Sequence, residues 1–183
     1  MRVGDKMDDI VQKFITEVTR KFDFLEKEYG YKKIEGKLEN QDFYPDAKTV
    51  IRYIGKSVGI EVYWYFAGAN IGVVFIELQN GEIPINRIFF GESKDATRAI
   101  NLYSLAGLLK QKEDNLFLLK EVDYVTISKI KKREKVINEN MSGIIEGLSN
   151  AVKKLATKII TGDTSIFTDV MNYQAGLIKK QYS

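Results

Sequence analysis

Ile60-Glu61-Val62-Tyr63-Trp64-Tyr65-Phe66, then Ala67-Gly68-Ala69-Asn70, then Ile71-Gly72-Val73-Val74-Phe75-Ile76-Glu77-Leu78, is the stretch that decides the fold. Its first run alternates. Ile60, Val62, Trp64 and Phe66 fall on one face and Glu61, Tyr63 and Tyr65 on the other, the two-residue period of a strand. The second run is β-branched and nearly all apolar, and reads as a neighbouring strand. Asn80-Gly81 beyond it is a strong hairpin signal, because both residues tolerate positive φ.

Outward from this centre, Thr49–Ile54 is a short β-rich run and Gly55–Gly59 a turn. Ile85–Phe90 closes the predicted four-stranded antiparallel meander over residues 49–90, with Pro84 marking an edge. The flanks change period. From Met7 to Tyr29, Ile10, Val11, Phe14, Ile15, Val18, Phe22 and Leu25 recur at spacings of three and four, one stripe of an amphipathic helix. Asp5, Asp8 and Asp9 favour the positive end of its dipole, and Gly30 offers a left-handed stop. Tyr31–Lys48 reads as a polar connection.

After the meander, Asp95 is placed to cap a helix bearing Leu102, Leu105, Ala106 and Leu109. Leu116–Ile127 is ambiguous between helix and strand. Ser128–Ile160 carries the stripe Ile137, Met141, Ile144, Leu148, Val152, Leu155 and Ile159. A strict heptad would demand Lys158, whereas Val152 and Ile159 keep a 3.6-residue period, so a straight helix packed on its own domain is favoured over a coiled coil. Gly162 ends this helix, and Asp163 or Thr164 caps a last one bearing Ile166, Val170, Tyr173 and Leu177. The expected fold is a single α+β domain over 1–183: helix 7–29, sheet 49–90, and a helical part, 95–181, packed on the sheet.

Composition narrows the chemistry. The 183 residues are 44% hydrophobic and 29% charged, which fits a globular chain. The net charge of +3 is small, yet residues 96–183 hold 14 Lys/Arg against 9 Asp/Glu. There is no cysteine and no histidine. Thiolate nucleophiles, disulfides, Cys-ligated zinc and Ser-His-Asp or Cys-His mechanisms are therefore excluded within this chain. Carboxylate chemistry with magnesium and a Ser-Lys pair stay open. The opening, MRVGDKMDDI, has no apolar signal core, and no apolar run approaches the ~20 residues of a membrane helix. The expected location is cytoplasmic, without a membrane partner.

Four constellations could carry function. Pro45-Asp46 with Glu77-Leu78-Gln79 resembles the carboxylate pair and lysine of magnesium-dependent nucleases, but Gln79 stands where the lysine belongs. Gly55-Lys56-Ser57 has the tail of a phosphate-binding loop, but Val50 stands where its first glycine belongs. The aromatic cluster offers Tyr53, Tyr63 and Tyr65 as partner-binding anchors. They would serve a protein interface, stack on bases or lie under the helices. Last, Lys129-Ile130-Lys131-Lys132-Arg133-Glu134-Lys135 packs five cations into seven residues. Cations in the first turns of a helix oppose its macrodipole. Lys129, Lys131, Lys132, Arg133 and Lys135 are thus candidate anion-binding residues, for nucleic acid or an acidic protein, or only a solvated face.

Phe24–Lys33, FLEKEYGYKK, between an amphipathic helix and a Tyr-rich meander beginning VIRYIG, resembles several small, mostly uncharacterised bacterial proteins. Some of these are similar to immunity proteins that neutralise a cognate toxin. The likeness covers residues 7–90 and carries no catalytic motif. It implies a non-catalytic protein binder of the bacterial cytosol. The expected function is thus protein binding, with no catalytic residue, cofactor or metal assigned. A nucleic-acid-associated protein using 129–135 and a carboxylate-dependent metal enzyme are the alternatives, and a homodimer is left open.

Overall fold

The computed structural model describes residues 3–39, 48–65, 70–91, 96–110 and 127–181. The fold is α+β, as expected, with helices packed on a mostly antiparallel sheet. Strands β2 (Lys48–Ile54), β3 (Val58–Tyr65) and β4 (Asn70–Glu77) form the expected antiparallel core of that sheet. Val62 faces Ile51 and Val73 across the register, and Trp64 faces Thr49 and Ile71. The alternation in Ile60–Tyr65 therefore holds: Ile60, Val62 and Trp64 are buried with Ile71, Val73 and Phe75 in one apolar cluster. Phe66 lies outside the described residues.

Both edges differ from the sequence reading. Residues 32–39, expected to be connection, form β1 (Lys32–Glu39), which pairs antiparallel with β2. Its register shifts between Ile34 and Lys37, so the hydrophobic alternation that announces a strand is broken inside it. The predicted fourth meander strand over 85–90 is not one. Only Arg87–Ile88 (β5) is extended, and it pairs in parallel with β6 (Thr97–Asn101), which itself takes the place beside β4. Asn80 and Gly81 do form the tight turn, with φ of 53° and 79°, but it closes the single bridge Gln79↔Glu82 and then releases the chain. The proposed cap, Asp95, lies outside the described residues. Helix α3 (Leu102–Leu108) is capped instead by Asn101, whose side chain accepts from the Ser104 amide at 2.6 Å.

The helices also break where the core requires it. The predicted helix 7–29 divides into α1 (Val3–Lys21) and α2 (Phe24–Lys27). Phe22, Phe24 and Leu25 are all buried, and a continuous helix would point Phe24 about 200° away from Phe22. The bend at Phe22-Asp23 turns all three inward. Beyond residues 111–126, which are not described, α4 (Ile127–Leu155) is kinked at Asn140, whose side-chain amide donates to the Val136 carbonyl at 3.1 Å. A second break at Ala156 separates α5 (Thr157–Ile160), and α6 (Phe167–Gln181) follows Gly162, which has φ of 101°. Ile137, Met141, Ile144, Leu148 and Val152 are buried against the domain's own core. The stripe is thus used inside the fold, as its period implied, rather than as an assembly seam.

Helix α1 packs beside α4, and α3 beside α6. Ser149 of α4 donates to the Lys21 carbonyl at the end of α1, at 2.7 Å, and Lys21 pairs with Glu146 at 2.7 Å. Tyr31 ties the opposite corner, donating its hydroxyl to the Ile160 carbonyl at 3.0 Å.

Burial pushes the Tyr31 phenol well above its ordinary value of 10.0, and burial first, then the charges of Glu26 and Asp23, does the same for Tyr53. The unfolded chain ionises these phenols near pH 10 while the folded chain keeps them protonated. Their contribution is therefore complete below pH 10 and is lost as pH rises beyond it. Tyr31→Phe should cost about 1 kcal/mol at neutral pH and make the alkaline fall in stability shallower than in the parent. Urea melts from pH 8 to 11 measure both; an unchanged alkaline slope would show that Tyr31 ionises freely in the fold.

Candidate functional site

Among the described residues the helices pack mainly on the face bearing Ile60, Val62 and Trp64, and of α6 Gln174 borders the other face beside Asn101. The opposite face of the sheet carries Arg52, Glu61, Tyr63, Tyr65 and Val74. Its cover is the chain after the Asn80-Gly81 turn. Ile83, Phe89 and Tyr63 pack there on Val74, Ile76 and Ala99, and Tyr63 lies across Gly72, its cross-strand neighbour. Helix cover of Tyr63 and Tyr65, one of the readings of the sequence, is thereby corrected: both are half-buried on the face opposite Ile60, Val62 and Trp64, where of the described helices α6 contributes Gln174 to the lobe they line.

At the centre of this face sits Glu61, only 4% exposed. Arg52, directly opposite on β2, donates Nε to its Oε1 at 2.8 Å, and Arg87 of β5 donates Nη1 to its Oε2 at 2.7 Å. One buried carboxylate thus holds two guanidinium groups. Around this triad a groove opens in two lobes that share Glu61, Ile85 and Arg87. One lobe, about 690 Å³, is walled by Lys32, Ile34, Ile54, Ile83 and Pro84. The other, about 560 Å³, is walled by Lys48, Tyr63, Tyr65, Val74, Phe89 and Phe90. Three apolar residues of this region face solvent: Ile85 is 95% exposed, Phe90 53% and Ile34 46%.

The sequence candidates separate on this geometry. Tyr63 and Tyr65 belong to the aromatic lobe. Tyr53 does not join them: it is 0% exposed, its ring stacked 6.3 Å from Phe22, on the helix-covered face. The anchor expected of Tyr53 is corrected to a core residue. In the basic run, Lys131, Lys132 and Lys135 are exposed and Arg133 is half-buried; the Lys129 side chain lies outside the described residues. Lys135 is 3.8 Å from Glu139. Ile137 is the first residue of α4 described as buried, and these lysines precede it along the helix.

The carboxylate pair is not assembled among the described residues. Asp46 falls outside them, and both Glu77 oxygens take donors from Arg98, Nε at 2.8 Å and Nη2 more closely. Among the described residues no group of three or more acidic side chains could hold a metal ion. Gly55-Lys56-Ser57 is a turn between β2 and β3, closed by the Gly55 amide on the Val58 carbonyl. No described helix is long and apolar enough to cross a membrane. Family models, curated proteins and solved structures offer no match to this chain.

Sequence reasoning missed Ile85, Arg87, Phe89 and Phe90 as site residues because it used them as a strand. Their signal was the Pro84 that starts the run. Proline supplies no ladder donor, and only two residues of the run pair.

Two series test the site. Tyr53→Ala should cost roughly 3–5 kcal/mol, as core aromatic truncations do, while Tyr65→Ala should cost under half of that; urea melts decide. Arg87→Met alone should cost about 1–3 kcal/mol, since Arg52 still neutralises Glu61. Adding Arg52→Met should cost about 3–5 kcal/mol by stranding the carboxylate, and adding Glu61→Gln should recover a large part of it.

Proposed function

We propose that the protein is a non-enzymatic binding module whose groove on the sheet face bearing Glu61, Tyr63 and Tyr65 docks another protein. The observation that supports this reading is Ile85. An isoleucine 95% exposed buries almost none of its side chain in its own fold, and it stands between an aliphatic lobe and one lined by tyrosines and phenylalanines, with Arg87 shared by both. Interface cores are enriched in aromatic residues and arginine, and contiguous apolar surface of this kind marks interaction sites. An immunity-like role, in which a bacterial cytosolic protein restrains its partner by occupying a surface, is one form of this reading.

The runner-up, nucleic acid held by Lys131, Lys132 and Lys135, is favoured by the exposure of those lysines on the first turns of α4. Against it stand Glu134 and Glu139 among them and the small number of cations, since polyanion binding draws on many phosphate contacts.

The test is capture from host lysate after nuclease treatment, with the parent and with an Ile85→Ser/Phe90→Ser variant. Both changed side chains are exposed, so the variant should fold like the parent. A protein bound stoichiometrically by the parent and lost by the variant is the expected result. Identical retention by both would remove the groove from consideration. Neutralising Lys131, Lys132 and Lys135 with glutamine should leave that capture unchanged.

A further inference from the structure

We infer that the occupant of the groove is an acidic polypeptide segment, with aspartate or glutamate set between apolar side chains. This rests on the docking reading above and adds the chemistry of the partner. The charged groups described along the two lobes are Lys32, Lys48, Arg52 and Arg87 against Glu61 and Glu82. The cations therefore outnumber the carboxylates, and Glu61 already serves Arg52 and Arg87 together.

The placement of that charge matters more than the count. Arg87 lines both lobes, at the point where aliphatic surface on one side meets aromatic surface on the other. A guanidinium presents five donors, and the hydrogen bond from Arg87 to Glu61 uses one nitrogen. A carboxylate laid beside Ile85 would meet Arg87 while its apolar neighbours entered the lobes. The aliphatic lobe of Ile34, Ile54, Ile83 and Pro84 suits leucine- or valine-like side chains and offers no flat ring for a base to stack on. A protein segment is thus favoured over a nucleic acid, although both are anionic.

Ile85 supplies a test that leaves the triad untouched. A random library of twelve-residue peptides would be panned on the full-length protein, and the enriched peptides measured against Ile85→Lys and Ile85→Glu variants. Both substitutions remove the same apolar side chain at an exposed position, so they differ only in the sign of charge. The expected enrichment is for Asp or Glu flanked by aliphatic or aromatic residues. The Lys variant should bind these on the order of five- to tenfold more tightly than the Glu variant. That gap should close by 1 M salt, where the screening length is ~3 Å. Neutral or basic peptides that bind both variants equally, yet are lost on Ile85→Ser/Phe90→Ser, would overturn the acidic occupant and leave the docking reading standing. No enrichment, or peptides indifferent to every groove variant, would sink both. A single-stranded oligonucleotide of about 20 nucleotides that displaced the peptides at physiological salt would overturn the inference in favour of nucleic acid.

Discussion

The inner faces of β3 and β4 present Ile60, Val62, Trp64, Ile71, Val73 and Phe75 as one continuous apolar surface. Leaving it wet would cost about 1.5–3 kcal/mol for each large side chain, so the rest of the chain is arranged to cover it. Helices α1, α3, α4 and α6 all lie on that side, and their departures from regularity follow from the same demand. The bend at Phe22-Asp23 turns Phe24 into the cluster. The Asn140 side chain caps a carbonyl where α4 kinks, with Ile137 and Met141 buried on either side of it. Among the described helices, α6 borders the other face through Gln174. There Val74, Ile76 and Ala99 need shielding too, and the crossing after the Asn80-Gly81 turn supplies it with Ile83 and Phe89.

A crossing so thin needs an anchor, and Glu61 provides it. A buried carboxylate is expensive to desolvate, and an apolar residue in its place is often as stable or more so. Its value here is positional. Arg52 sits directly opposite Glu61 in the β2–β3 register, while Arg87 comes from the crossing itself. One carboxylate therefore links the central ladder to the segment laid over it. An isoleucine at position 61 would not distinguish Arg87 from any other approach of that segment. Ile85, two residues before Arg87, stays 95% exposed at the junction of the two lobes.

The centre of the fold was legible because its signals were local. Alternation in Ile60–Tyr65, the apolar run after Asn70 and the 3.6-residue stripes each follow from one chain segment burying one face. The edges were not, for physical reasons. Strand β1 is rich in lysine and carries a register shift, both common on exposed edges, so it lacks the pattern that reveals strands in sheet interiors. Strand β6 is five residues long and runs directly into α3, and its Ala99 and Ile100 fit a helix equally well. The run 85–90 had strand composition, but its side chains take their places from Glu61 and from the far edge, which periodicity does not encode. The same distinction separates Tyr53 from Tyr63 and Tyr65. They belong to opposite faces of the sheet, and only the register between β2 and β3 says which face is covered.

The contrast between the two basic surfaces turns on order. Lys131, Lys132 and Lys135 extend from the first turns of α4 on long, exposed side chains. A ligand would have to immobilise each, at about 0.5–1.5 kcal/mol apiece. Arg52 and Arg87 have already lost that freedom, because Glu61 holds both during folding. Docking onto them forfeits little further entropy, and their planar forks are fixed between two apolar lobes. A partner that matches this arrangement gains charge complementarity and apolar contact together, whereas one that meets the helix end gains charge alone, screened by salt. Preorganisation rather than the number of cations is therefore what favours the proposed docking on the sheet face over the helix end.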